Sequence, residues 1–332
     1  MYFCYALFNN YYIKLLYYMI VLFVNHKIKK CGVYQYGIRL FDILQKSTNI
    51  KYVFKEVEMY SEYIDALKCN NYDAIIYNYH PMIMGWLNCK NIQHNVKNIG
   101  LQHDLVENNI FDITLRLDTT LPERPMRYNI PRPIFENIDT LLDNYKPSTE
   151  RINTFINSYK EDGIPIFGSF GFGFYRKGFN KIVSLINENY DEAIIKIVMP
   201  HADTQSSDPG IVEECFRRIN KPLVKLMIIH DFFDEKDLLY FLRSNSMNIF
   251  LYDSHPSAGV SSVVDYALSA KKPLAISNAS WFRHIYSDEI CVNKTSIDDI
   301  MRSSTSYCEK ILNLFSHDNL IQKVDDIIMG KY

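Results

Sequence analysis

The strongest constraint on this chain is a rhythm that runs through it twice. Short runs rich in β-branched and aromatic residues alternate with stretches of helical spacing. In the first half, 19–24, 51–57, 72–79 and 96–102 read as strands. Residues 38–44 and 60–68 read as helices, and 26–36 as a loop holding Gly32. In the second half, 164–169, 193–199, 225–229, 247–252 and 273–277 read as strands. Helical spacing marks 179–187, 211–219, 235–243, 259–270, 297–303, 305–315 and 320–329. Strand–helix–strand repeats bury both faces of a parallel sheet beneath crossover helices, so the fold class is α/β with two Rossmann-like units.

The two series are separated by Pro122, Pro125, Pro131, Pro133 and Pro147. Proline fixes φ and lacks a donor, which marks this stretch as loop. A helix is expected over 149–159. The division that follows is a first domain over 1–145, a linker over 146–163 and a second domain over 164–332. The 332 residues are enough for two such cores.

A formal net charge of −2 gives no basic field to gather nucleic acid. Seven cysteines, odd in number and without a CxxC pair, argue against a disulfide framework or a structural zinc site. They fit a reducing, cytoplasmic setting. The apolar run 15–24 is about half the roughly 20 residues a membrane span needs. It reads as a buried strand, with a peripheral membrane contact as the alternative.

Two segments carry candidate chemistry. Gly168-Ser-Phe-Gly-Phe-Gly-Phe-Tyr-Arg-Lys-Gly178 lies between a strand and a helix. Gly171 and Gly173 let backbone approach a ligand, and Arg176 and Lys177 add charge where a helix N-terminus favours an anion. A tight turn with a solvated Arg–Lys pair has the same pattern. Asp253-Ser-His-Pro-Ser-Ala-Gly-Val-Ser-Ser262 is the second. There His255, Ser257, Gly259, Ser261 and Ser262 crowd an expected helix start, where they could hold a diphosphate or simply cap the helix. Both segments sit at strand-to-helix turns, where ligands gather in parallel sheets. Together they favour one shared anion site.

From residue 164 onward the chain resembles the donor domain of retaining GT-B glycosyltransferases of the family-four group. Gly171 and Lys177-Gly178 match that family's glycine and lysine–glycine. Asp234-Glu-Lys-Asp-Leu-Leu-Tyr-Phe-Leu242, Asn248-Ile-Phe-Leu-Tyr252 and Ala267-Leu-Ser-Ala-Lys-Lys-Pro-Leu-Ala-Ile276 match its later blocks. The first half is similar in outline, with Gly32 at the family's first glycine-rich loop and His103 after a strand. The chain departs from the pattern at the two family glutamates, which fall at Ala258 and Tyr266, and at the family arginine, which falls at Phe172. Arg176 is placed to substitute for that arginine, and His255, Ser257, Ser261, Ser262 and Asp265 to rebuild donor contacts.

The resemblance implies two domains facing across a cleft. It implies transfer of a sugar from a nucleotide-diphosphate donor, with retention and without a metal or any cofactor beyond the donor. Lys177 would meet the leaving diphosphate, and His103 would orient donor or acceptor. The acceptor, whether glycan, lipid-linked or protein, is left open. The alternative is an inactive relative that binds a nucleotide or a protein partner.

Overall fold

The computed structural model describes residues 19–106, 108–159, 163–201, 207–256 and 258–332. The first sheet is built from β1 (Met19–Asn25), β2 (Ile50–Glu56), β3 (Ala74–Tyr77), β4 (Lys97–Gln102), β5 (Ile113–Arg116) and β6 (Arg127–Asn129). Its order is β2-β1-β3-β4-β5-β6, parallel throughout. The second contains β7 (Ile166–Phe170), β8 (Glu192–Val198), β9 (Leu223–Ile229), β10 (Met247–Phe250) and β11 (Leu274–Ile276). Its order is β11-β10-β7-β8-β9, again parallel. Val21 to Val24 are fully buried, as a strand covered on both faces must be.

The helices are α1 (Gly32–Leu44), α2 (Tyr60–Leu67), α3 (Ile138–Leu141), α4 (Glu150–Asn157), α5 (Phe179–Asn189), α6 (Ile211–Arg217), α7 (Glu235–Ser244), α8 (Val263–Ser269), α9 (Ile297–Leu314) and α10 (His317–Ile328). Several expectations change. The loop expected over 26–36 is helical from Gly32. The helix expected from 259 begins at Val263, because Ser261 is drawn out to donate its backbone N–H to the Trp281 carbonyl at 3.0 Å. The two helices expected over 297–315 are one, whose buried Ser304 accepts from the backbone of Leu274. β5 and β6 are strands that the sequence pattern did not mark.

The division of the chain also shifts. Ile138, Ile152, Phe155 and Ile156 pack with Val198, Ile229 and Leu239, so α3 and α4 belong to the second core. At the other end, Leu320, Val324, Ile327 and Ile328 pack with Val21, Phe23, Leu40 and Ile99 of the first. The chain therefore crosses between the cores twice. Asp325 anchors the return, accepting from Tyr52 at 2.8 Å and Ser47 at 2.5 Å.

Strand order reverses between β1 and β3 in one sheet and between β7 and β10 in the other. Such switch points open crevices at the carboxyl ends of strands. The turns after β7 and β10 are the two glycine- and serine-bearing segments singled out above.

Candidate functional site

The turn after β7 is set by two glycines. Gly171 has φ +147°, a region L side chains rarely adopt. Lys177 closes a single 3-10 turn over Tyr175–Lys177, and Gly178, at φ +66°, starts α5. A Cβ on Gly178 would run into the Leu251 carbonyl, so glycine is required there on two counts. This clamp holds Lys177 with its Nζ 4.0 Å from the centroid of Tyr252 and 5.8 Å from that of Trp281. Burial, then the charge of Arg176, brings the Lys177 amine down to about 7.

Lys177 lines a cavity of about 210 Å³ between the two domains. Gly171 and Phe172 line it from the first turn, and Ser261, Ser262 and Tyr266 from the second. Val198 and Pro200 at the end of β8, Phe232 and Phe233 in the loop after β9, and Leu238 of α7 form an apolar wall. The first domain contributes Cys31, Gly32, Gln35 and Arg39, from the start of α1. No side chain caps that helix start, so its leading N–H groups have no side-chain acceptor, and Cys31 and Gly32 at that end line the cavity.

Two residues stand out that sequence reasoning did not select. Glu235 opens α7 and, among the described residues lining the cavity, alone carries a carboxylate. The Tyr266 hydroxyl donates to it at 3.1 Å, and Arg39 lies 3.5 Å away. Burial raises its pKa above the usual carboxylate value, while the charge of Arg39 opposes the rise. Arg39, almost wholly buried, also donates to Asp265 at 3.0 Å and to the Pro133 carbonyl at 2.7 Å. Its guanidinium packs over Tyr266 at 4.6 Å. No spacing rule relates Arg39 to Glu235, since only the closed fold brings α1 to α7.

Of the expected site residues, the cavity gathers Gly32, Gly171, Lys177, Ser261 and Ser262. It does not gather Gly173, whose missing Cβ makes room for Ser207 and Met199. Arg176 is exposed, stacks over Phe174 at 4.2 Å and does not line the cavity. His255 sits on the outer loop, its backbone tied to Ser280. Gly259 faces the first domain, where a Cβ would strike the His103 carbonyl. Ser257 lies outside the described residues.

His103 is separate from Lys177. Its Nε2 meets Asn78 Oδ1 at 2.6 Å, and its ring stands edge-on to Tyr36 at 5.2 Å. Burial, then the charge of Arg132, lowers it to about 3. It is therefore neutral near pH 7, with Nε2 as donor to the asparagine and Nδ1 as acceptor.

No protein-family model matches the sequence, and no curated protein matches it. Solved structures do match. A sucrose-phosphate synthase from Thermosynechococcus elongatus superposes with a TM-score of 0.64 at 11% identity, covering 94% of this chain and 99% of that one. HepE from Anabaena in complex with UDP-glucose gives 0.63 at 11% identity, covering 94% and 100%. A glycosyltransferase from Rickettsia africae gives 0.62 at 13% identity, covering 95% and 100%. The fold of this chain is GT-B: two parallel-sheet α/β domains with a cavity between them.

Proposed function

We propose that this protein is a glycosyltransferase that takes a sugar from a nucleoside-diphosphate donor held against Lys177. One observation carries the reading. Two sequence-distant turns of the second domain and the uncapped start of α1 converge on a single cavity that contains one lysine and an apolar wall. An apolar slot beside a cationic, N–H-rich end suits a base followed by a diphosphate. Neighbours of the same fold include a complex with UDP-glucose, which supports that class of donor. The cavity of about 210 Å³ is below the usual range for a full ligand site, so the donor would extend along the cleft or part the domains on entry.

The chemistry follows from charge. The leaving diphosphate gains negative charge as the glycosidic bond breaks, and protonated Lys177 together with the α1 N-terminus stabilises it. Retention of configuration and independence from metal or further cofactor are part of the proposal. Six described cysteines, all free, fit a reducing, cytoplasmic compartment. Among the described residues no helix is long and apolar enough to cross a membrane.

A second reading, a binder without turnover, is favoured by one observation: the Tyr266 hydroxyl, at a position where the resemblance implies a glutamate, is spent on a hydrogen bond to Glu235. The test has two steps. Uridine and guanosine diphosphates should raise the melting temperature, since ligand at a hundredfold excess over Kd adds about 2.7 kcal/mol. Release of radiolabelled sugar from the matching donor should then fall by about 10²–10³ in Lys177→Ala. Stabilisation without any release in the native protein selects the binder, and no stabilisation by any nucleotide rejects both.

A further inference from the structure

We propose that the hinge between the domains carries a second binding site, a cavity that takes an apolar chain ending in a hydroxyl group. The chain passes between the two cores after Ile130 and again after Phe315. The two crossings are tied side by side: His317 donates its backbone N–H to Glu136 Oε1 and its Nε2–H to the Ile134 carbonyl, both at 2.8 Å. Next to them lies a cavity of about 470 Å³, a size usual for ligand sites. Asn129, Ile130 and Pro131 line it from the first crossing, Phe315 and Asn319 from the second. None of its lining residues lines the cavity at Lys177.

The lining sets the chemistry. Ile130, Pro131, Ile311, Leu314 and Phe315 form an apolar wall, and Leu314 is left 63% exposed on it. An alkyl chain would cover that surface. Two polar side chains of the lining lack partners. His284, in the 3-10 turn Ser280–Ile285, is only 6% exposed, and neither ring nitrogen has a hydrogen-bond partner among the described residues. Burial, then the charges of Arg132 and Arg283, keeps it neutral, so it has one donor and one acceptor to give. Asn129 donates its amide to the Leu121 carbonyl at 2.6 Å, but its Oδ1 is also buried without a partner among the described residues. Native proteins rarely leave such atoms unbonded. A hydroxyl satisfies both side chains, since it takes a hydrogen bond from His284 and gives one to Asn129. A carboxylate would set acceptor against acceptor at Asn129, and would find Lys323 of the lining already paired with Glu123 at 3.3 Å. An ammonium would meet the charge of Lys323.

The position gives the site a consequence. Residues of both domains line it, so an occupant favours the arrangement in which they meet this way. His284 also follows Arg283, whose side chain crosses the seam to pair with Asp118 of the first domain at 2.5 Å. That an occupied hinge holds the donor cleft closed rests on the transferase reading above; binding of the alcohol does not.

The test is ligand-observed saturation-transfer NMR with the full chain and 1-octanol, with octanoate and octylamine as arms that change only the head group. 1-Octanol should bind with a Kd on the order of 1 mM, and each charged analogue about fivefold more weakly or worse. Leu314→Asp, at an exposed position, should weaken 1-octanol about tenfold. His284→Phe, which keeps a ring and removes both nitrogens, should weaken it about fivefold, with the circular dichroism and melting temperature of each variant close to native. If His284→Phe melts early, Leu314→Asp decides alone. Absence of saturation transfer to 1-octanol from the native protein overturns the proposal. So does octanoate binding as tightly as 1-octanol, or 1-octanol binding untouched by Leu314→Asp. Failure of nucleoside diphosphates to stabilise the protein would sink the donor reading and leave this result standing.

Discussion

At the scale of single residues, Lys177 makes the site pH-dependent. Its amine is lowered from 10.5 to about 7 by burial and the nearby Arg176 charge. The sign follows from linkage. The folded protein binds fewer protons than the unfolded chain between pH 7 and 10.5, so the lysine's cost to stability is full below 7 and is relieved as pH rises. The proposed diphosphate binding would have the opposite preference, because the anion selects the charged amine. Affinity for uridine diphosphate should therefore fall as pH rises above 7, by up to about tenfold per unit. The second phosphate ionisation near 6 leaves the ligand's charge constant over that range. Titration calorimetry from about pH 7 to pH 9 measures it, and Lys177→Arg, which stays protonated, should flatten the curve. A native affinity that does not change with pH would mean the lysine does not touch the diphosphate. Lys177 was legible in sequence because glycines flank it between a strand and a helix. Arg39 and Glu235 were not: each sits within an ordinary amphipathic helix, and their meeting depends on how two domains close.

At the scale of elements, the β7–α5 turn rests on backbone conformation. Gly178 combines φ +66° with a Cβ position blocked by the Leu251 carbonyl. Gly171 has a φ of +147°, but a Cβ there would meet its nearest neighbours at 3.7 Å, an ordinary van der Waals contact. Gly178→Ala should therefore cost more than Gly171→Ala. Left-handed backbone alone costs about 1–2 kcal/mol, and the carbonyl clash adds to it, so a total of about 3 kcal/mol is expected. Urea denaturation of both variants checks the order, and equal losses would refute the steric account. The elements that sequence made legible are those with strong local pattern, such as β1, β8 and α7 with its Asp234 cap, whose side chain accepts from Asp237. β5, only Ile113–Arg116, was missed because four residues among polar neighbours carry too little pattern. The start of α8 was misplaced because Gly259 and Ser261 serve the neighbouring domain and the Trp281 loop, a tertiary demand that overrides helix spacing.

At the scale of the whole molecule, one buried carboxylate ties the domains together. Asp265, on α8, accepts from Arg132 Nε at 2.9 Å and from a terminal nitrogen at 2.6 Å, as well as from Arg39 of α1. Arg132, in the crossover, packs over Tyr36 of α1 at 4.9 Å. All three charged side chains are removed from solvent. Deleting one partner of such a cluster leaves buried charge uncompensated and costs about 3–5 kcal/mol. The cavity between the domains shares this cluster, because Arg39 also lines it and faces Glu235. Asp265→Asn should therefore do two things together: lower the melting temperature and open the cleft, which small-angle scattering would register as a larger radius of gyration. A second ion pair across the seam, Arg283 to Asp118 at 2.5 Å, and the returning α10 should keep each domain folded. If Asp265→Asn melts early with an unchanged radius, the cluster stabilises α8 alone and the clamp assignment fails. If the radius grows and nucleotide affinity falls in step, domain closure and donor binding are coupled through Arg39, a residue that belongs to both.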